Sequence, residues 1–99
     1  MLGAVLAAAA ADAKENWNKN CAKCHGADGK GQTKIGQKLE IRDYTSAKVQ
    51  DTLKDEEIFK AMKEGVKDKN GRVKMKAVED LSGEEIKALG QYVRGLKGK

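Results

Sequence analysis

Apolar positions recur at helical spacing in four stretches of this chain, and glycine or charge separates them. Ala13, Trp17 and Cys21 follow one another at four-residue intervals, which predicts an amphipathic helix from Asp12 to Asn20 with Asp12 as its cap. Val49 and Leu53 share a face in a short helix begun by Ser46. Ile58, Phe59 and Met62 predict a helix over Glu56–Glu64, capped by Asp55 and ended by Gly65. The clearest pattern closes the chain, where Ile86, Leu89, Val93 and Leu96 recur behind Ser82-Gly83-Glu84-Glu85, a capping box. Gly90 lies beside that face at a cost of about 1 kcal/mol relative to alanine, which predicts close approach by another helix. Arg94, Lys97 and Lys99 suit the negative end of the helix dipole.

Between these stretches the pattern fails. Gly26, Gly29, Gly31 and Gly36 mark a loop whose spacing matches neither phosphate-binding nor dinucleotide-binding glycine motifs. Residues 66–81 read as irregular, with a turn at Asn70-Gly71. No strand run, repeat or linker is evident. The expectation is an all-α fold in a single domain over residues 12–99. Residues 1–11 are small and uncharged and read as the remnant of a secretory signal, with an Ala-x-Ala pattern before Asp12. They lack the basic start of such a signal and are too short to span a bilayer.

Composition sharpens the picture. Only 4% of the 99 residues are aromatic and 35% are charged, so side chains alone would build a thin core. A chain of this size gains from a disulfide, a metal or a cofactor. The net charge of +5 is dispersed, and no nucleic-acid motif accompanies it, so nucleic acid is not an expected partner.

Cys21-Ala22-Lys23-Cys24-His25 supplies the missing chemistry. Two thiols separated by two residues and followed by histidine form the attachment pattern for one covalent haem c. Each thiol adds across a haem vinyl group, and His25 is placed to ligate the iron. Cys-x-x-Cys also occurs in thioredoxin-like redox sites, but those sit in alternating strands and helices. A closed zinc site takes four ligands, and Cys21, Cys24 and His25 are the only cysteines and histidine here. A structural disulfide would leave His25 without a role. For the sixth iron position there are Met1, Met62 and Met75. Met62 falls on an apolar helix face, where methionine usually fills core, so Met75 is favoured. Arg42 and Tyr44 are candidate donors to haem propionates.

With these residues in place, the chain resembles a bacterial class I cytochrome c over residues 12–97. The resemblance rests on Trp17 four residues before the first cysteine, the Cys21–His25 motif and the Gly26-Ala27-Asp28-Gly29-Lys30-Gly31 loop. It extends through the Asp55–Gly65 helix, Met75 and Ala88-Leu89-Gly90-Gln91-Tyr92-Val93-Arg94-Gly95-Leu96. It implies terminal helices that cross, Ala13 and Trp17 against Leu89 and Tyr92, around a haem ligated by His25 and Met75. It also implies a periplasmic or otherwise extracytoplasmic electron carrier, monomeric and not an enzyme. Two features depart from the family pattern: Lys76 rather than proline follows Met75, and the loop after the motif has no proline to orient the histidine through its carbonyl. A carbonyl near Ile35 would take that part. Lys30, Lys34, Lys38, Lys74 and Lys76 are candidates to face an acidic redox partner. The alternatives are a haem protein with an open or labile sixth site, as in a gas sensor or weak peroxidase, and a haem-free Cys/His metal-binding module.

Overall fold

The structure, a computed structural model, describes residues 12–99. The signal-remnant reading of residues 1–11 lies outside the described residues. Helix α1 runs over residues 12–20, so Asp12 is already helical and does not cap it. Then come α2 (Ala22–His25), α3 (Lys34–Lys38), α4 (Ala47–Thr52) and α5 (Asp55–Glu64). A two-stranded antiparallel sheet, β1 (Val66–Lys67) and β2 (Val73–Met75), precedes the closing helix α6 (Gly83–Gly95). The fold is mostly helical, as expected. The hairpin corrects the reading of residues 66–81 as irregular, and α3 corrects that of residues 26–36 as all loop.

The core forms where the helical stripes meet. Trp17, Cys21, Met62, Ile86, Leu89, Val93 and Leu96 make one buried cluster, with Leu89 fully enclosed. The terminal helices pack together as the sequence predicts. Trp17 and Tyr92 have ring centroids 5.5 Å apart, and Asn16 Nδ2 donates to Glu85 Oε2 at 3.3 Å. Helix α5 also lies against α6, and Gly90 is the reason it can. A methyl group there would sit 2.5 Å from the Phe59 ring. The capping box closes as read, with Ser82 accepting from the Glu85 amide and Glu85 accepting from the Ser82 amide. Thr33 and Ser46 cap α3 and α4 in the same way, through the amides of Gly36 and Val49.

Asp55 behaves differently from the expectation. Helix α5 begins at Asp55 itself, behind Lys54, which makes no side-chain cap. The Asp55 carboxylate instead accepts from Arg94 Nε at 2.9 Å. Arg94 also donates to the carbonyls of Gln50 and Leu53, and so serves as a tertiary tie where the sequence suggested only a dipole partner. Gln50, buried at 4% exposure, completes the junction by donating to the carbonyls of Tyr44 and Val93 at 2.7 and 2.8 Å. A buried amide is tolerated here because these bonds replace its lost hydration. The effect is to lock the segment after α3 onto the end of α6.

Candidate cofactor site

The Cys21–His25 motif is built as a continuation of α1. The Cys21 amide donates to the Trp17 carbonyl at 2.8 Å, and the His25 amide donates to the Cys21 carbonyl at 2.9 Å. One turn therefore carries both thiols and the imidazole. Cys21 is buried in the core, whereas Cys24 and His25 are half-buried at its margin. Neither cysteine is in a disulfide.

Electrostatics separates this pair from a redox-active one. Burial, assisted by the neighbouring Cys24 sulfur, pushes the Cys21 thiol up to about 11. Redox-active Cys-x-x-Cys pairs work through a lowered pKa, the opposite direction from that of Cys21. Among the described residues, no group of three His, Cys, Asp or Glu side chains is placed to hold a metal ion.

His25 packs against two aromatic rings. Tyr44 stacks on it at 5.2 Å and 23°, and Trp17 lies at 5.5 Å and 40°. Burial lowers the imidazole pKa, which favours the neutral ring that a metal requires. Its Nδ1 is buried and has no hydrogen-bond partner. The expected carbonyl near Ile35 therefore does not reach it. Two free thiols and an imidazole carried in one helical turn are a donor set that fits covalent haem.

The backbone around the motif is closely held. Trp17 Nε1 donates to the Gly26 carbonyl at 3.0 Å, the Gly31 amide donates to the His25 carbonyl at 2.8 Å, and Thr33 Oγ1 donates to the Cys24 carbonyl. Gly36 packs so tightly that a methyl group would sit 2.4 Å from the Gly31 carbonyl oxygen and 2.6 Å from that of Cys24.

Met75 is placed separately. It ends β2, paired with Val66, and is half-buried against the same core cluster to which Cys21 belongs. This corrects, at Met75, the reading of residues 66–81 as irregular. The cleft it lines is bounded by residues between Glu64 and Glu79, including Val66, Val73 and Ala77, and contains none of the motif residues. Met62 is enclosed in the core on α5. Arg42 donates to Thr52 at 3.2 Å on the surface, while Tyr44 is occupied with His25. Sequence reasoning passed over Thr33 and Gln50 and read Gly36 only as a loop glycine. Of these only Thr33 carried a local signal, as a threonine just ahead of a short helical segment.

Comparison with known proteins points the same way. The family model described as cytochrome c oxidase, cbb3-type, subunit III matches residues 8–93. Among solved structures, the KustC0563 c-type cytochrome is 32% identical, with a TM-score of 0.72 over 86% of this chain and 96% of that one. No curated protein matches the chain significantly. With its terminal helices in contact and a match over most of its length, the chain belongs to the cytochrome c family and is a small class I-like member of it.

Proposed function

We propose that the chain is a single-haem electron carrier, with haem c held through Cys21 and Cys24 and with His25 and Met75 as axial ligands. The observation that carries this reading is the His25 ring, packed against Trp17 and Tyr44, in the same turn as two free thiols. Bound haem would supply a one-electron couple, its potential raised by a thioether ligand. The chain's own residues do the rest. Cys21, high in pKa and buried, and Cys24, at the core margin, are one helical turn apart and anchor the cofactor from one side. Trp17 and Tyr44 hold the imidazole plane, and the apolar cluster excludes water. Met75 supports the assignment as a half-buried thioether at the end of a two-stranded hairpin, whereas Met62 is committed to the core.

No bond of a substrate is made or broken in this role, so the chain acts as a carrier rather than an enzyme. Covalent haem attachment goes with an extracytoplasmic location. No helix among the described residues is long and apolar enough to cross a membrane. The partners are redox proteins met in transient encounters.

The test is the visible spectrum of the haem-loaded protein, oxidised and reduced, beside Met75→Ala and Met62→Ala variants. Sharp low-spin reduced bands are expected, with a weak far-red sulfur-to-iron band in the oxidised form that only Met75→Ala removes. A high-spin wild type that binds carbon monoxide would overturn the ligation and favour an open-site haem protein.

A further inference from the structure

We infer that Thr33 is a positioning residue for His25, because its hydroxyl joins the Cys24 carbonyl to the Gly36 amide behind the histidine. This rests on the proposed role of His25 as a haem ligand. Helix α2 ends at His25, and the last carbonyls of a helix lack partners within it. Here three consecutive carbonyls, those of Cys24, His25 and Gly26, accept from Thr33 Oγ1, the Gly31 amide and Trp17 Nε1 respectively. Only the first of these donors is a half-buried side chain outside the core cluster.

The direction of the Thr33 proton is fixed. The Gly36 amide can only donate, and it does so to Thr33 Oγ1 at 2.8 Å, so the hydroxyl proton is free to point at Cys24. The carbonyl it holds belongs to the peptide plane that joins Cys24 to His25. The tilt of that plane sets the backbone torsion of His25, and with it the direction in which the imidazole leaves the chain. Gly36 closes the joint, since a methyl group there would overlap the same Cys24 oxygen at 2.6 Å.

This matters because His25 Nδ1 has no acceptor. A metal-ligating histidine is ordinarily oriented by the hydrogen bond its other nitrogen makes. In this chain the orientation comes from the clamped backbone and from the rings of Trp17 and Tyr44. Serine at position 33 would keep both hydrogen bonds. Valine would lose both and strand a carbonyl and an amide.

The experiment uses the full haem-loaded chain and compares wild type, Thr33→Val and Thr33→Ser. The readouts are reduction potential and the paramagnetically shifted His25 ring resonances of the oxidised protein, with thermal melts in parallel. Thr33→Val is expected to move both the potential and the resonances, and Thr33→Ser to restore them. Unchanged potential and resonances in Thr33→Val, or equal displacement in Thr33→Ser, would overturn the inference. Should Thr33→Val fail to fold or to take up haem, hydrogen exchange in the wild type decides. The Gly36 amide is expected to be protected on the order of a hundredfold or more, and an amide exchanging as freely as an exposed loop would count against the clamp. A wild type lacking any histidine-ligated spectrum would instead sink the proposed function, and Gly36 exchange would still judge the Thr33 joint.

Discussion

At the scale of single residues, the site depends on what has been kept small as much as on what ligates. Gly36 has ordinary backbone torsions, so its requirement is for space rather than for a left-handed conformation. The atoms a methyl group would strike are the Thr33 hydroxyl and two backbone carbonyl oxygens, and the carbonyls have no rotamer to move into. Gly36→Ala is therefore expected to destabilise the protein by about 1–3 kcal/mol, as overpacking does elsewhere, and to displace the Cys24 carbonyl. Denaturant titration measures the first effect, and haem uptake during expression reports the second. A variant with wild-type stability would show that α3 can shift away at little cost. The Cys21–His25 motif was legible because its chemistry is written in adjacent residues. The roles of Gly36 and Thr33 were not, because the carbonyls they meet, those of Gly31 and Cys24, lie 5 to 12 positions away across a loop without periodicity. Gln50 was hidden for the same reason: its partner Val93 is 43 residues on, and a glutamine in a short polar helix gives no sign of burial.

Secondary elements were legible in proportion to their length. Helix α6 spans 13 residues and repeats its apolar face often enough to be read, cap included. Strands of two and three residues have no period to detect. The hairpin stands instead on Asp68, whose carboxylate accepts from the amides of Asn70 and Arg72, and on its junction with Gly65. Asp55 was misassigned because a helix-start signal and an ion-pair partner look identical in sequence; Arg94, 39 residues away, decided it. Two glycines of α6, Gly90 in its interior and Gly95 at its end, should respond in opposite senses. Gly95 has nothing within 4 Å of an added methyl group, so Gly95→Ala is expected to raise stability by about 0.4–1 kcal/mol. Gly90→Ala is expected to lower it by about 1–3 kcal/mol because the Phe59 ring must move. Parallel thermal melts would show the contrast, and a stabilising Gly90→Ala would mean that α5 is loosely docked. The cap of α6 also predicts an acid dependence. Hydrogen bonds from the Ser82 amide, foremost, and from Asn16 hold the Glu85 carboxyl below its ordinary value of 4.5. A depressed folded pKa means that this stabilisation is fully present above the unfolded value and is lost as the pH falls through the folded one. Glu85→Gln should thus flatten the stability profile below about pH 4.5, lowering stability at neutral pH and converging with the wild type in acid. An identical acid profile in the variant would remove Glu85 from the account.

For the whole molecule the open matter is where electrons leave and how a partner finds that place. The net charge of +5 gives a field that favours anionic partners, and such steering weakens as salt shortens the Debye length from about 30 Å at 0.01 M to about 3 Å at 1 M. Net charge alone would attract an anion to any face. The hairpin adds a local field, because Lys67, Lys69, Arg72, Lys74 and Lys76 are all exposed and no ion pair engages them among the described residues. Its one acid, Asp68, is occupied with backbone amides. Since Met75 ends the same strand, an axial ligand there would put these charges close to the redox centre. Two double variants separate the local from the global effect. Lys74→Glu with Lys76→Glu reverses charge on the hairpin, whereas Lys14→Glu with Lys87→Glu makes the same change in net charge from exposed positions on α1 and α6. Oxidation of the reduced protein by ferricyanide, a small anion, would be followed by stopped flow across that range of salt. The wild-type rate is expected to fall with added salt, and the hairpin variant to be slower at low salt than the α1/α6 variant. All three should converge at high salt, where only intrinsic reactivity remains. Equal slowing in the two variants would mean that the anion senses net charge alone, and the hairpin would lose its claim to border the exchanging edge.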